Sequence, residues 1–419
     1  MPSNGRQGAH LTVAIGVCVI LNMFDGFDVL VISLTAPGIG DEWSLTSSQL
    51  GLLFSAGLLG MVVGSLFVAP VADRLGRRAV VLACILVVGV GMMLAARANH
   101  YLLLAIARLI TGIGVAGILA CAVVLVSEYS SDQWRNTGIF LYTFGYSVGA
   151  TGGGAVAALL IRHFSWRAAF ALGAAASFLM LPAAFRYLPE SNQFLAKRGS
   201  LEAAGDATGS TPRTIPLGGV AALLSRGSAR VTLFLWAAFF FAMSGYYFVF
   251  SWTPKLLTAA GLSAEQGVSG GVLLSLGGMG GTLLFALVGR MANVRRVAFG
   301  CLLAAALLTV VFSLGANKLS LAFPSVVALG AASTSALAGF YAVTPGLYGA
   351  EARSSGMGWA VGVGRIGAIL ASLAAGLLVD RGWSAVDLLR VFSGTFLLAS
   401  IAFMGIRRSK GPGGAPFAR

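Results

Sequence analysis

The sequence predicts an all-α integral membrane protein with twelve transmembrane helices in two pseudo-symmetric six-helix halves. Three observations carry this. Of the 419 residues, 57% are hydrophobic and only 10% charged, with a mean hydropathy of +0.88, whereas a soluble domain is about 25% charged. Apolar runs of roughly 20 residues, the length that crosses a bilayer, recur along the whole chain. A single long polar interval falls mid-chain, and the segments on its two sides echo each other. This composition excludes a water-soluble enzyme, a disordered chain and a nucleic-acid-binding domain. The 57 glycines follow no Gly-X-Y period; inside apolar runs they are the small residues that let helices approach in lipid.

The apolar runs cover 11–36, 49–70, 79–97, 102–127, 137–161, 167–187, 231–254, 266–289, 297–315, 320–345, 355–379 and 386–406. The first run contains Asp25 and Asp28 and no small-residue cleavage site follows it, so it is expected to remain as a helix, not to be removed as a signal peptide. The interval after the sixth run is rich in Gly, Ser, Thr and Pro and carries Lys197, Arg198, Arg213, Arg226 and Arg230. The expected organisation is therefore an N-terminal half (1–190), a cytoplasmic linker (191–230), a C-terminal half (231–408) and a cytoplasmic tail (409–419). Cys18, Cys84, Cys121 and Cys301 all lie in apolar runs without C-x-x-C spacing, so no metal site is expected.

Orientation follows from lysine and arginine. With the N-terminus inside, most of the 28 fall on the inner side, leaving Arg97, Arg162, Arg167, Lys255, Lys318, Arg381 and Arg390 outside. The positive-inside rule then puts both termini in the cytoplasm. The net charge of +14 has this source and needs no nucleic-acid partner.

The halves match in detail. A-P-V-A-D-R-L-G-R-R (Ala69 to Arg78) after the second run is echoed by G-R-M-A-N-V-R-R (Gly289 to Arg296) after the eighth, with Asn293 in the place of Asp73. The glycine pattern of Gly145 to Gly154 in the fifth run returns as Gly367 to Gly376 in the eleventh. Parallel six-helix repeats imply alternating access, with a substrate held near the midplane between the halves. No phosphate-binding loop is present, so ATP is not expected to drive transport; a proton gradient is expected to do so, with no bound cofactor, in a monomer.

Ionisable groups inside a span cost about 2.5–3.5 kcal/mol each by insertion scales, so each one asks for a purpose. Asp25 and Asp28 share a helix face. Two carboxylates so close cannot both ionise cheaply, which makes one of them a natural proton carrier; the residues alone do not say which. Arg108 is expected to pair with an aspartate or serve the proton relay. Arg365 reads equally as a fork for a substrate carboxylate and as a structural partner. Aromatics crowd the seventh run, mostly as core or interfacial belt, with Tyr246 and Tyr247 as candidates for the cavity. Tyr142 in the fifth run and Trp359 near Arg365 are further candidates for substrate contact.

Asp73, Arg74, Gly76, Arg77 and Arg78 give the D-R-x-G-R-R that is a signature of the major facilitator superfamily, although Ala69 stands where a glycine usually leads. Arg108, Gly112 and Gly114 add its R-x-x-x-G-x-G. L-P-E-S-N-Q-F-L (Leu188 to Leu195) is similar to a P-E-S-P motif, with Asn192 in the last place. R-S-S-G-M-G-W-A-V-G-V-G-R-I-G-A (Arg353 to Ala368) resembles a run of the aromatic acid:proton symporters, as does D-G-F-D (Asp25 to Asp28). The chain departs from that family at Gly349–Ala350 and Ala371–Ser372. The resemblance implies the major facilitator fold. It also implies proton-coupled uptake of a small organic anion of the benzoate type, such as 4-hydroxybenzoate or protocatechuate, and a gate formed by Asp73 with Arg74, Gly76, Arg77 and Arg78. Carriage of a sugar, an aliphatic acid or a nicotinate-like compound, and efflux by antiport, are the rival expectations.

Overall fold

In the computed structural model the chain is described over residues 4–130, 134–192, 194–195, 223–224, 229–348 and 353–406. Among these, twelve helices are long and apolar enough to cross a membrane, and no strand occurs. They are α1 (Asn4–Trp43), α2 (Ser47–Leu75), α3 (Arg77–Ala96), α4 (Tyr101–Tyr129) and α5, in which Arg135–Val148 continues through a π-helical turn (Gly149–Gly153) into Gly154–His163. Then come α6 (Trp166–Tyr187), α7 (Ala229–Ala259), α8 (Ala264–Met291), α9 (Val294–Gly315), α10 (Leu319–Val343), α11 (Arg353–Asp380) and α12 (Ala385–Gly405). Helices are the open-ended solution to lipid because every backbone group is bonded within the segment. The expected linker (191–230) and tail (409–419) lie almost wholly outside the described residues.

Short connections join the helices at the end read as outer, and side chains cap the turns there. Thr46 with Gln49, Ser263 with Gln266 and Ser384 with Asp387 form reciprocal capping boxes that start α2, α8 and α12. α1 continues past the apolar run at 11–36 and through Pro37. The helix runs about two turns further, to Trp43, because those turns pack on α6. Gly38 lies against Trp166, and Glu42 accepts from Trp166 Nε1 at 2.7 Å and from both terminal nitrogens of Arg167 at 2.8 and 2.7 Å. One lost hydrogen bond at proline is offset by that docking.

Each half repeats one packing scheme. α1 packs on α5, α2 on α4, and α3 on α4 and α6; correspondingly α7 packs on α11, α8 on α10, and α9 on α10 and α12. At α1–α5 the backbones touch. A Cβ on Gly26 would collide with the Tyr146 carbonyl, and one on Gly149 with the backbone of Met23; the small-residue spacing allows a contact that no other residue permits. The repeat reaches single side chains at the inner end. Arg78 donates to the Phe185 carbonyl (2.5 Å) with its guanidinium 5.3 Å over the Phe185 ring. Arg295 donates to the Phe403, Met404 and Ile406 carbonyls and lies 5.9 Å over the Phe403 ring. Each arginine closes the last turn of the outermost helix of its own half, where free carbonyls favour a cation.

Between the halves the bonds run down from the outer end. Asp380, ending α11, accepts from the Ser47 and Ser48 amides of α2 at 2.8 and 2.9 Å. Below it, Gly376 meets the Ser47 carbonyl and Gly51 meets that of Ser372, and Ser55 donates to the Ile369 carbonyl at 3.1 Å. Ser33 of α1 donates to the Phe250 and Ser251 carbonyls of α7, both at 2.8 Å, and Arg162 pairs with Glu265 at 3.0 Å. The side-chain bonds described at the inner end, by contrast, stay within one half. Among the described residues, the halves are thus bonded together from the end read as outer.

Candidate functional site

The polar centre starts on α1. Asp25 and Asp28 are 8% and 2% exposed, and Arg108, brought in by α4, is 2% exposed. Arg108 takes Asp28 with both terminal nitrogens. Nη1 pairs with Oδ1, Nη2 reaches Oδ2 at 2.8 Å, and Nη2 also reaches the Asp28 carbonyl at 3.1 Å. Gly57 of α2 leaves room for the guanidinium, since a Cβ there would stand 3.0 Å from Nη2. Asp28 is thereby neutralised. Asp25 is not, for its buried Oδ1 has no hydrogen-bond partner among the described residues.

Asp25 faces groups from both halves. Asp28 and Arg365 act on it as charges, and Tyr142 and Tyr146 of α5, Tyr246 and Tyr247 of α7 and Tyr341 of α10 are coupled to it electrostatically. Tyr246 stacks on Phe250 (centroids 4.3 Å apart) and meets Tyr247 edge-on at 5.3 Å. Tyr341, edge-on to Phe239 at 5.9 Å, is 44% exposed although the charges of both Asp25 and Arg365 act on it, so it lines the open space of the bundle. Arg365 crosses the seam: Nη1 donates to Ser65 Oγ at 2.7 Å and lies 3.4 Å from the Met61 carbonyl, both on α2.

Tyr142 is 4% exposed inside the first half, near Cys18 and Cys121. Its carbonyl accepts from Asn22 Nδ2 at 2.6 Å and its hydroxyl has no partner among the described residues. Trp359 lies beside Trp236, centroids 5.8 Å apart.

At the inner end Gly76 has φ +95°, a left-handed conformation that suits glycine, and the Glu190 carboxylate occupies the space where its Cβ would be. Glu190 accepts from the Arg77, Arg78 and Ser191 amides at 2.7, 3.2 and 2.9 Å, capping the start of α3. Arg77 pairs with Glu128 and reaches Ser191 Oγ at 3.0 Å. Asp73 and Arg74 fall in the last turns of α2; the Asp73 side chain is outside the described residues. Sequence reasoning passed over Glu128 and Tyr341. Glu128 had a signal, being an acid at the inner edge of an apolar run next to the arginine loop. Tyr341 had none, because only the fold brings α10 opposite α1.

A twelve-span helical bundle in two repeats, bonded together from one end and with charged and aromatic groups on the seam, defines a membrane transporter. The chain belongs to the Major Facilitator Superfamily, whose family profile matches residues 18–323. It is 32% identical over 396 residues to a gallate transporter of Pseudomonas putida, covering 90% of this chain and 88% of that one. It is 30% identical over 403 residues to the 3-(3-hydroxy-phenyl)propionate transporter of Escherichia coli (strain K12), covering 94% of each, and 29% identical to a 4-hydroxybenzoate transporter of Acinetobacter baylyi, covering 88% and 85%. In fold it is similar to the partially occluded inward open xylose transporter XylE of E. coli, with a TM-score of 0.77 at 17% identity over 97% of this chain and 100% of that one. The resemblance to aromatic-acid carriers read from the motifs thus extends along the whole chain.

Proposed function

We propose that this chain imports a small organic anion, an aromatic carboxylate, across a bacterial inner membrane. It does so as a monomer with both termini in the cytoplasm, by alternating access, drawing on the proton gradient and on no bound cofactor. The observation that supports this reading most directly is Asp25, a buried carboxylate with an unpartnered oxygen, facing Arg365 and tyrosines of both halves.

On this reading Arg365 takes the substrate carboxylate, and Tyr246, Tyr247 and Tyr341 present ring faces and hydroxyls to the substrate ring. Asp25 carries the proton. An anion bound beside it raises the cost of a second negative charge, so substrate and proton favour each other's binding, which is the coupling that symport requires. Asp28 and Arg108 neutralise each other and hold α1 to α4 beside the carrier. At the inner end Arg77, Gly76 and Arg78, held to Glu128 and Glu190, form the half of the gate that Asp73 and Arg74 complete when the inner side closes. The relatives named above are transporters of gallate, 3-(3-hydroxy-phenyl)propionate and 4-hydroxybenzoate, all aromatic carboxylates, which favours this class over sugars and aliphatic acids.

The test is uptake of labelled gallate, 4-hydroxybenzoate and 3-(3-hydroxyphenyl)propionate by cells expressing the protein, with and without a protonophore. The expected result is accumulation that collapses with the protonophore and in Asp25→Asn. Normal expression without accumulation of any aromatic acid overturns the substrate, and net outward movement overturns import.

A further inference from the structure

Arg365 is held by the opposite half, and the way it is held leaves one edge unused. Ser65 Oγ donates to the Met61 carbonyl at 2.7 Å and accepts from Arg365 Nη1 at 2.7 Å, while the Met61 carbonyl lies 3.4 Å from the same nitrogen. Every hydrogen bond of this arginine described in the structure is made by Nη1. The Nε–Nη2 edge has no partner among the described residues, and the side chain is only half-buried.

We propose that Ser65 is a positioning residue for substrate recognition: from α2 it fixes the guanidinium of Arg365 on α11 so that the Nε–Nη2 edge is presented to the substrate carboxylate. The proposal rests on the reading of Arg365 given above. A planar fork binds a carboxylate through two parallel N–H bonds only when its plane is fixed, and a flexible arginine has to lose rotamer freedom first. Because Ser65 and Arg365 belong to different halves, the fork is set only while α2 and α11 keep this register. Opening of the outer end separates the two helices and frees the arginine, so the fork is set as the outer end closes, which links substrate capture to movement of the halves through a differential contact.

The experiment compares uptake kinetics of Ser65→Ala, Ser65→Thr and Arg365→Lys with the parent, each corrected for the amount of protein in the membrane. Removing one hydrogen bond to a fixed cation is expected to raise KM about five- to tenfold in Ser65→Ala, with the maximal rate little changed. Ser65→Thr, which keeps the hydroxyl, restores KM. Arg365→Lys raises KM at least as far, and adding Ser65→Ala to it has no further effect. A serine that served packing alone would lower expression and maximal rate together and leave KM in place, and that result overturns the proposal. If Arg365→Lys raises KM and Ser65→Ala does not, the proposal fails while the role of Arg365 stands. If neither moves KM, the carboxylate site itself is misassigned and the proposal falls with it.

Discussion

Arg108 grips Asp28 with both of its terminal nitrogens, and Asp25, one helical turn earlier on the same face of α1, keeps an oxygen that nothing in the first half satisfies. The two carboxylates therefore differ in kind: one completes a buried ion pair, the other is left to exchange its partner. Breaking a buried pair from one side strands a charge and costs about 3–5 kcal/mol. Asp28→Asn is accordingly expected to reduce folded protein and thermal stability in detergent. Asp25→Asn is expected to keep both, lose accumulation, and retain exchange of substrate across the membrane. Equal loss of stability in the two variants would contradict this division of roles.

Tyr142 offers a test of where the substrate lies. Its hydroxyl is buried in the first half without a partner among the described residues, so Tyr142→Phe removes an unsatisfied group and is expected to leave KM unchanged with stability equal or slightly raised. Tyr341→Phe and Tyr246→Phe are expected to raise KM for hydroxylated substrates several-fold. A rise in KM for Tyr142→Phe alone would move the ring site into the first half.

Asp380 ties the end of α11 to the start of α2 with two charge-assisted bonds. Losing them in Asp380→Ala removes about 1–2 kcal/mol from the outer closure, enough to shift a two-state population roughly tenfold. A cysteine placed at Ser48 is expected to react correspondingly faster with a membrane-impermeant maleimide in that background. An unchanged rate would show that the outer seal does not depend on the aspartate.

The glycines of α1 and α5 separate contact from coincidence. Gly26→Ala forces a Cβ into the Tyr146 carbonyl, whereas a Cβ at Gly152 meets nothing within 4 Å. Gly26→Ala is expected to abolish folded protein in a fluorescence-detected size-exclusion profile, and Gly152→Ala to leave the profile unchanged.

The spans were legible because lipid imposes one length and one composition on every crossing helix. Asp25, Asp28, Arg108 and Arg365 stood out because charge in an apolar run is costly. What the sequence withheld was partnership. Nothing in the spacing of Asp25 and Asp28 says which one Arg108 takes, since that depends on the angle at which α4 crosses α1 and on the gap left by Gly57. Ser65 is an unremarkable small residue in an apolar run until α11 is laid beside α2. The last turns of α1 lie beyond the apolar run for a related reason: what holds them is the docking of Glu42 on Trp166 and Arg167, which is not local in the sequence.

Arg78 on the Phe185 carbonyl and Arg295 on those of Phe403, Met404 and Ile406 mean that each six-helix unit finishes its own inner end without help from the other. The two units also meet each other directly, so carrying both in one chain raises the local concentration of one unit around its mate. Two separately translated pieces, parted between residues 195 and 223, carry everything needed to recognise each other along α2–α11, α1–α7 and α5–α8. A bipartite carrier assembled from them in one membrane would accumulate substrate as the single chain does, at a level set by how often the pieces meet.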